Sequence, residues 1–295
     1  MGQERIRAVD GVTFTIEEGE FCCILGTSGS GKSTLLNLLA GIEKLSGGDI
    51  FINGSSIRKM SEKKLSKFRQ ENLGFVFQAY NLLGSMTALE NVELPLVFKR
   101  IAPGKRHKMA RSILKKVGLA GRMNHKPKEM SGGQQQRVGI ARAFVARPKI
   151  VFADEPTGNL DSKTTIEVMQ LIKSMAIRNN QTIVMVTHDI SLARYADKII
   201  HVSDGKITEI EYNEHPLGVE EPAEAADQAG SKGKETAEAA DQAGSEGKET
   251  AKTADKTGNE GKETAETADK TGNEAKNTEK NEIISETAQT EGSVK

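Results

Sequence analysis

Cysteine is scarce in this chain of 295 residues: the only two, Cys22 and Cys23, are neighbours inside an apolar run. Successive side chains of a strand point to opposite faces, so this pair reads as plain core and no disulfide framework is possible. Long apolar runs are also missing. No stretch approaches the ~20 residues of a membrane-spanning helix, and the start lacks the charged-then-apolar pattern of a signal peptide. "MGQERI" fails the myristoylation pattern, because Ile6 stands where Ser or Thr is wanted. A cytosolic chain is expected.

Aromatic residues and arginine run out towards the C-terminus. Residues 214–295 contain neither, and carry 20 acidic residues against 10 lysines, whereas residues 1–213 carry 31 basic against 21 acidic ones. The formal net charge of zero therefore joins a basic body to an acidic tail. After Tyr212 the large apolar residues are Leu217, Val219, Ile283, Ile284 and Val294. That is too few to offset about 1 to 2 kcal/mol of backbone entropy per ordered residue. The tail also repeats with a period of 14, in copies beginning at Gly233, Gly247 and Gly261 after a decayed one at Val219. A helical stripe there would hold only Ala and Thr, with two glycines per repeat each costing ~1 kcal/mol, so disorder is expected over 214–295.

The body alternates strands and helices. "AVDGVTFTIEEGEFCCILG" reads as an alternating ribbon passing into a buried strand, and "KSTLLNLLAGI" as a helix opening off the turn that follows. "LGFVFQ", "KIVFADEP" and "QTIVMVTHD" read as strands, "TTIEVMQLIKSMAIRNN" as a helix, and "DKIIHVSDGKITEIEY" as a closing strand pair turning at Asp204-Gly205. Residues 88–147 are mostly helical in pattern. This order predicts an α/β protein with a parallel sheet covered on both faces.

Between a strand and a helix lies "GTSGSGKST", which matches the phosphate-loop pattern at Gly26, Gly31, Lys32 and Ser33. Glycines let backbone N–H groups turn onto phosphate oxygens, and the following helix adds its positive end. Gly26, Thr27, Ser28, Gly29, Ser30, Gly31, Lys32, Ser33 and Thr34 are thus candidates for holding a nucleotide, with Lys32 on the β and γ phosphates and Ser33 on Mg²⁺. The loop alone leaves kinase, GTPase and ATPase open. In "IVFADEP", Asp154 suits Mg²⁺ and Glu155 suits activation of a water. His188 is placed to reach the γ phosphate, and Gln78, closing "LGFVFQ", to reach both Mg²⁺ and the attacking water. "MSGGQ" places Ser131, Gly132, Gly133 and Gln134 at the start of another helix, a second anion-binding N-terminus. One chain with one nucleotide has no use for two cradles unless another chain's nucleotide fills the second.

Taken in order, "GTSGSGKS", Gln78, "MSGGQ", "IVFADE", "GNLD" and His188 resemble the nucleotide-binding subunit of ATP-binding-cassette (ABC) transporters over about residues 6 to 212, with Met130 where leucine is usual. The resemblance implies a RecA-like P-loop NTPase core with an antiparallel β subdomain and an inserted helical subdomain at about 88–147, within an ATPase domain over 1–213. It implies ATP and Mg²⁺ as cofactors, and a head-to-tail dimer with a second copy or a related subunit. Glu155 would be the catalytic base, Asp161 would link the two sites, and closure would pass through the segment after Gln78 to a separately encoded membrane permease. The chain would then sit peripherally on the cytoplasmic face of the membrane, and no nucleic acid is expected as partner. "FVFQAYNLL", "ALENVELPL" and "ADEPTGNLD" are similar to the branch serving lipoprotein release, macrolide and antimicrobial-peptide efflux, and cell division. Members usually have an initial strand and an aromatic that stacks on adenine at a place lying before Met1, so an upstream start codon is expected.

Overall fold

The computed structural model describes residues 7–218; the 14-residue repeats, most of the expected tail and the first six residues lie outside it. Its centre is a six-stranded sheet made by β1 (Phe21–Leu25), β4 (Leu73–Phe77), β5 (Ile150–Asp154), β6 (Thr182–Thr187), β7 (Lys198–Ser203) and β8 (Lys206–Tyr212), in the order β4-β5-β6-β1-β7-β8. The first five are parallel, and β8 closes the edge antiparallel to β7. The β7–β8 turn uses Asp204 at φ 47° and Gly205 at φ 73°, the paired positive angles that suit a tight hairpin. A small antiparallel hairpin, β2 (Phe51–Ile52) with β3 (Ser55–Ser56), forms a separate sheet.

Central parallel strands are covered on both faces, and β1 shows the consequence directly. Phe21, Cys23 and Leu25 join one core cluster and Cys22 and Ile24 the other. The adjacent cysteines therefore lie on opposite faces as their spacing requires. Burial pushes the Cys23 thiol up to about 12 and raises that of Cys22 as well, which makes both inert core residues. One face is packed by α1 (Lys32–Leu39) and the hairpin region, the other by α5 (Gly132–Phe144) and α6 (Ser162–Asn179). α2 (Glu62–Asn72) leads into β4, and the short α7 (Ile190–Ala193) follows β6.

Between β4 and β5 come α3 (Ala88–Phe98) and α4 (Pro103–Lys116), which pack on each other and on α5. α3 starts at Thr87 with a reciprocal cap: Glu90 N–H donates to the Thr87 hydroxyl (3.2 Å) and Thr87 N–H to the Glu90 carboxylate (2.7 Å). Asn91, fully buried one turn in, accepts from Leu83 N–H and donates to the carbonyls of Leu83, Met86 and Thr87. It thereby fixes the segment between the end of β4 and α3.

One expected element is absent. Residues 8–16 alternate as a strand would, yet no strand is assigned there. Phe14 and Ile16 are nonetheless buried in the second cluster. The alternation reports side-chain burial along an extended segment, and the hydrogen-bonded ladder does not follow from it.

Candidate functional site

Parallel α/β sheets place ligands outside the carboxyl ends of their strands, and here those ends carry the singled-out residues. β1 runs into Gly26, β5 ends at Asp154, β6 at Thr187 before His188, and β4 at Phe77 before Gln78. Register aligns them: Leu25 pairs with Thr187, Asp154 with Val186, and Phe77 with Asp154.

The loop geometry explains its glycines. A Cβ on Gly26 would lie 2.1 Å from the Val202 carbonyl oxygen, and one on Gly31 2.1 Å from that of Ala8, so neither site has room for a side chain. Gly31, the residue before α1, is also at φ 96°, a left-handed angle that glycine adopts without penalty. Lys32 is buried, and its ammonium donates to the Thr27 carbonyl at 2.6 Å, which folds it back across the loop. Ser30 Oγ is buried without a hydrogen-bond partner. Such an orphaned hydroxyl in a glycine-rich turn fits a ligand rich in acceptors.

Ser33 donates to Asp154 Oδ1 at 3.2 Å, bringing the two candidate Mg²⁺ ligands together. Burial holds the Asp154 carboxyl above its ordinary range, with Glu155 adding to the rise, while the Ser33 hydrogen bond and Lys32 pull it down. Among the described residues no three His, Cys, Asp or Glu side chains cluster as a metal site. A hard cation that keeps waters and phosphate oxygens, held by one hydroxyl and one carboxylate, fits this donor set.

Glu155 takes φ 43°, uncommon for a residue with a side chain. Its N–H donates to the Val186 carbonyl (3.0 Å), and its Oε1 lies 2.9 Å from His188 Nδ1. The turn that follows closes from Gly158 N–H to the Glu155 carbonyl at 3.1 Å. Gln78 packs on this turn: a Cβ on Gly158 would stand 2.7 Å from Gln78 Nε2, and Asn159 Nδ2 donates to the Gln78 carbonyl at 3.0 Å. Gln78 has no hydrogen bond to Ser33 or Asp154; it touches the loop after Glu155 instead.

Ser131 is the N-cap of α5, exchanging bonds with Gln134 at 3.3 and 3.2 Å. Gly132 lies beneath the Tyr80 hydroxyl and Gly133 against Thr164, where a Cβ would come within 2.8 and 2.7 Å respectively. Asp161 caps α6, accepting from Thr164 N–H (3.0 Å) and its hydroxyl (2.7 Å), bonds that hold its carboxyl below the usual range. No hydrogen bond among the described residues links Ser131 to Gln134 with Gly26 to Thr34. A cavity of about 530 Å³ lies beside Gln134, lined by Gly118, Arg122 and Arg137 among others.

Three residues that the motifs do not flag hold this frame. Gln136, fully buried on α5, donates through Nε2 to the Pro156 carbonyl inside the turn after Glu155, while its Oε1 has no partner. Arg142, two turns on, donates to the carbonyls of Tyr80 (2.9 Å) and Asn81 (2.6 Å). Gln136 and Arg142 thus tie α5 to the backbone just after Glu155 and just after Gln78, while Asn91, on α3, fixes the stretch from Leu83 to Thr87. Helical spacing from Ser131 was the available signal, since Gln136 shares the inward face with Ile140 and Ala143.

A doubly covered parallel sheet, a glycine-rich phosphate loop and an acidic pair at the next strand end define a P-loop nucleotide-binding protein. The chain belongs to the ABC transporter family, whose model matches residues 9–158. It is similar to the ABC transporter ATP-binding protein MJ0796 of Methanocaldococcus jannaschii, with 47% identity over 211 residues covering 70% of this chain and 90% of the relative. The macrolide export ATP-binding/permease protein MacB of Hyphomonas neptunium is 43% identical over 221 residues, which are 75% of this chain and 34% of that protein. A solved dimeric structure of the MJ0796 cassette, described as a post-hydrolysis state bound to ADP and Pi, matches with TM-score 0.67 and 45% identity, covering 72% of this chain and 93% of that one.

Proposed function

We propose that the chain is the ATP-binding and ATP-hydrolysing subunit of an ABC transporter, and that it powers a separate membrane permease by closing a dimer on two ATP molecules. The carrying observation is the separation of two anion-ready elements. Gly26 to Thr34 adjoin Asp154, Glu155 and His188, while Ser131 to Gln134 cap their own helix and bond to none of these. A second copy offers the complementary half, as the dimeric relative supports.

In this reading Lys32 and the loop N–H groups hold the phosphates, and Ser131 with Gly132, Gly133 and Gln134 cover the partner's γ phosphate. Ser33 and Asp154 would hold Mg²⁺, with Gln78 as a further ligand, and the bound ion would supply neutralisation of charge on the phosphate oxygens. Glu155 accepts the proton of the attacking water, His188 orients on Glu155 and the γ phosphate, and Asp161 faces the second site across the interface. Among the described residues no helix is long and apolar enough to cross a membrane, which accords with a permease in another chain and a peripheral position at the cytoplasmic membrane face.

Glu155→Gln tests the reading, with phosphate release and size-exclusion chromatography in ATP and Mg²⁺. Hydrolysis is expected to fall by about 10² or more, with ATP trapping a dimer. A variant that stays monomeric in ATP, or hydrolyses at the parental rate, overturns the composite-site mechanism.

A further inference from the structure

The positive charge of the body is concentrated in one place. Residues 88–147 hold 14 Lys and Arg against 3 Asp and Glu, whereas the remainder of 1–213 holds 17 against 18. Within this part, α4 (Pro103–Lys116) has six basic residues and no acid. Ala110, Ile113 and Leu114 are its buried side. Lys105, Lys108, Arg111, Lys115 and Lys116 fall on the opposite side at helical spacing and are exposed.

These charges are not consumed internally. Arg106 and His107 reach Glu93 at 3.2 and 2.9 Å, and Lys99 is bound by the carbonyls of Glu71 and Ala146. The five residues of the outer face enter no ion pair among the described residues. At the turn before α4, Val97 and Phe98 end α3 with 42% and 62% of their surface exposed. A basic helix face beside exposed apolar side chains is the pattern of a segment that lies on an anionic bilayer, with basic heads among lipid phosphates and apolar tips in the headgroup boundary.

We propose that the outer face of α4, with Phe98, is a docking surface for anionic phospholipid headgroups that holds this subunit flat against the membrane independently of the permease. Single-stranded nucleic acid fits the face less well, because Phe98 is its one exposed large aromatic and a groove that stacks successive bases uses several. The proposal stands beside the transport reading rather than on it, since lipid binding needs neither hydrolysis nor a second subunit.

The test is co-sedimentation of the full chain with phosphatidylcholine vesicles, with and without phosphatidylglycerol, at low and high salt. Binding is expected only with phosphatidylglycerol and should weaken with salt, because screening shortens the field to about 8 Å at physiological ionic strength. Lys105→Glu/Lys108→Glu/Arg111→Glu should lower vesicle partitioning by about tenfold or more. The same charge change on α2, Lys63→Glu/Lys64→Glu/Lys67→Glu, should lower it less than about threefold. Phe98→Ser should weaken binding a fewfold without changing the salt dependence. An unaltered melting transition and ATPase rate in solution show that the α4 variant is folded. Equal losses for the α2 and α4 triples, no preference for phosphatidylglycerol, or tighter binding to single-stranded DNA than to the vesicles overturns the proposal.

Discussion

The two helix N-termini of the candidate site are built on opposite plans. At α1 the chain turns through a residue with no side chain, and the orphan donors of the first turn are left for something else: Gly31 makes no side-chain cap, Lys32 folds back on Thr27, and Ser30 Oγ has no partner. At α5 Ser131 and Gln134 satisfy each other in a reciprocal cap. The ends of three neighbouring parallel strands, β5, β6 and β1, lie side by side at the first, while the second is braced from behind by Gln136 and Arg142. A helix start that leaves donors open next to carboxylates suits a resident ligand; one that caps itself suits a ligand that arrives with a partner.

The sharpest way to break this comparison is to damage the two ends in different molecules. Lys32→Ala and Ser131→Arg alone should each lose about 10² or more of hydrolysis. A homodimer with composite sites makes a further demand. Mixed in equal amounts, half of the dimers pair the intact phosphate loop of one variant with the intact Ser131–Gln134 segment of the other, at one of two sites. The mixture should therefore recover roughly a quarter of parental phosphate release. No recovery on mixing would show that each chain completes its own site.

A smaller effect is expected from the brace. Gln136→Met keeps the volume but withdraws the donor from the Pro156 carbonyl, in the turn that carries Glu155. Hydrolysis should fall about tenfold while nucleotide affinity, read by equilibrium titration, stays within about twofold, the mark of an interaction that matters mainly in the transition state. Leaving a buried acceptor unmet should also cost about 1 to 3 kcal/mol in denaturant unfolding. Equal losses in affinity and rate would make Gln136 a packing residue only.

How far such residues could be read from the chain depends on what the pattern encodes. The phosphate loop was legible because its glycines answer to backbone geometry that no other residue satisfies, as Gly26 and Gly31 show. The helical region, the parallel core and the opposite faces of Cys22 and Cys23 were legible from periodicity. The bracing bonds of Gln136 and Arg142 were not, because the carbonyls they meet, Pro156 and Tyr80, lie 20 and 62 residues away in sequence; Asn91 bonds locally, to Leu83, Met86 and Thr87, but no motif marks it. The ribbon over 8–16 failed for the converse reason, with Phe14 and Ile16 buried as the alternation demands but without the ladder.

The cation half of the first site gives a pH test. Because burial holds the Asp154 carboxyl above its ordinary range, it takes up a proton earlier as pH falls, and a protonated carboxyl is a poor Mg²⁺ ligand. The Mg²⁺ needed for half-maximal hydrolysis should climb as pH is lowered, starting above the range of an ordinary aspartate. The sign for the metal-free protein is opposite. A folded-state value above the unfolded one means the proton favours the folded form, so this group stabilises as pH drops through that window. Asp154→Asn should flatten both trends, and a Mg²⁺ requirement independent of pH would remove Asp154 from the ligand set.

The finest comparison uses two caps of the same chemistry. Thr87 with Glu90 and Ser131 with Gln134 make the same reciprocal bonds at the starts of α3 and α5. Replacing either hydroxyl residue by alanine should cost about 1 kcal/mol of stability, since each leaves one first-turn N–H without its partner. Chemical denaturation should therefore rank Thr87→Ala and Ser131→Ala together. Phosphate release should separate them: Thr87→Ala is expected within about twofold of the parent, because its cap serves only the helix. Ser131→Ala should fall several-fold further, because in the proposed dimer its hydroxyl has a second task on the partner's nucleotide. Were the two variants to lose activity in the same proportion as stability, Ser131 would be a helix cap and nothing more, and the case for α5 as half of a shared site would rest on its glycines alone.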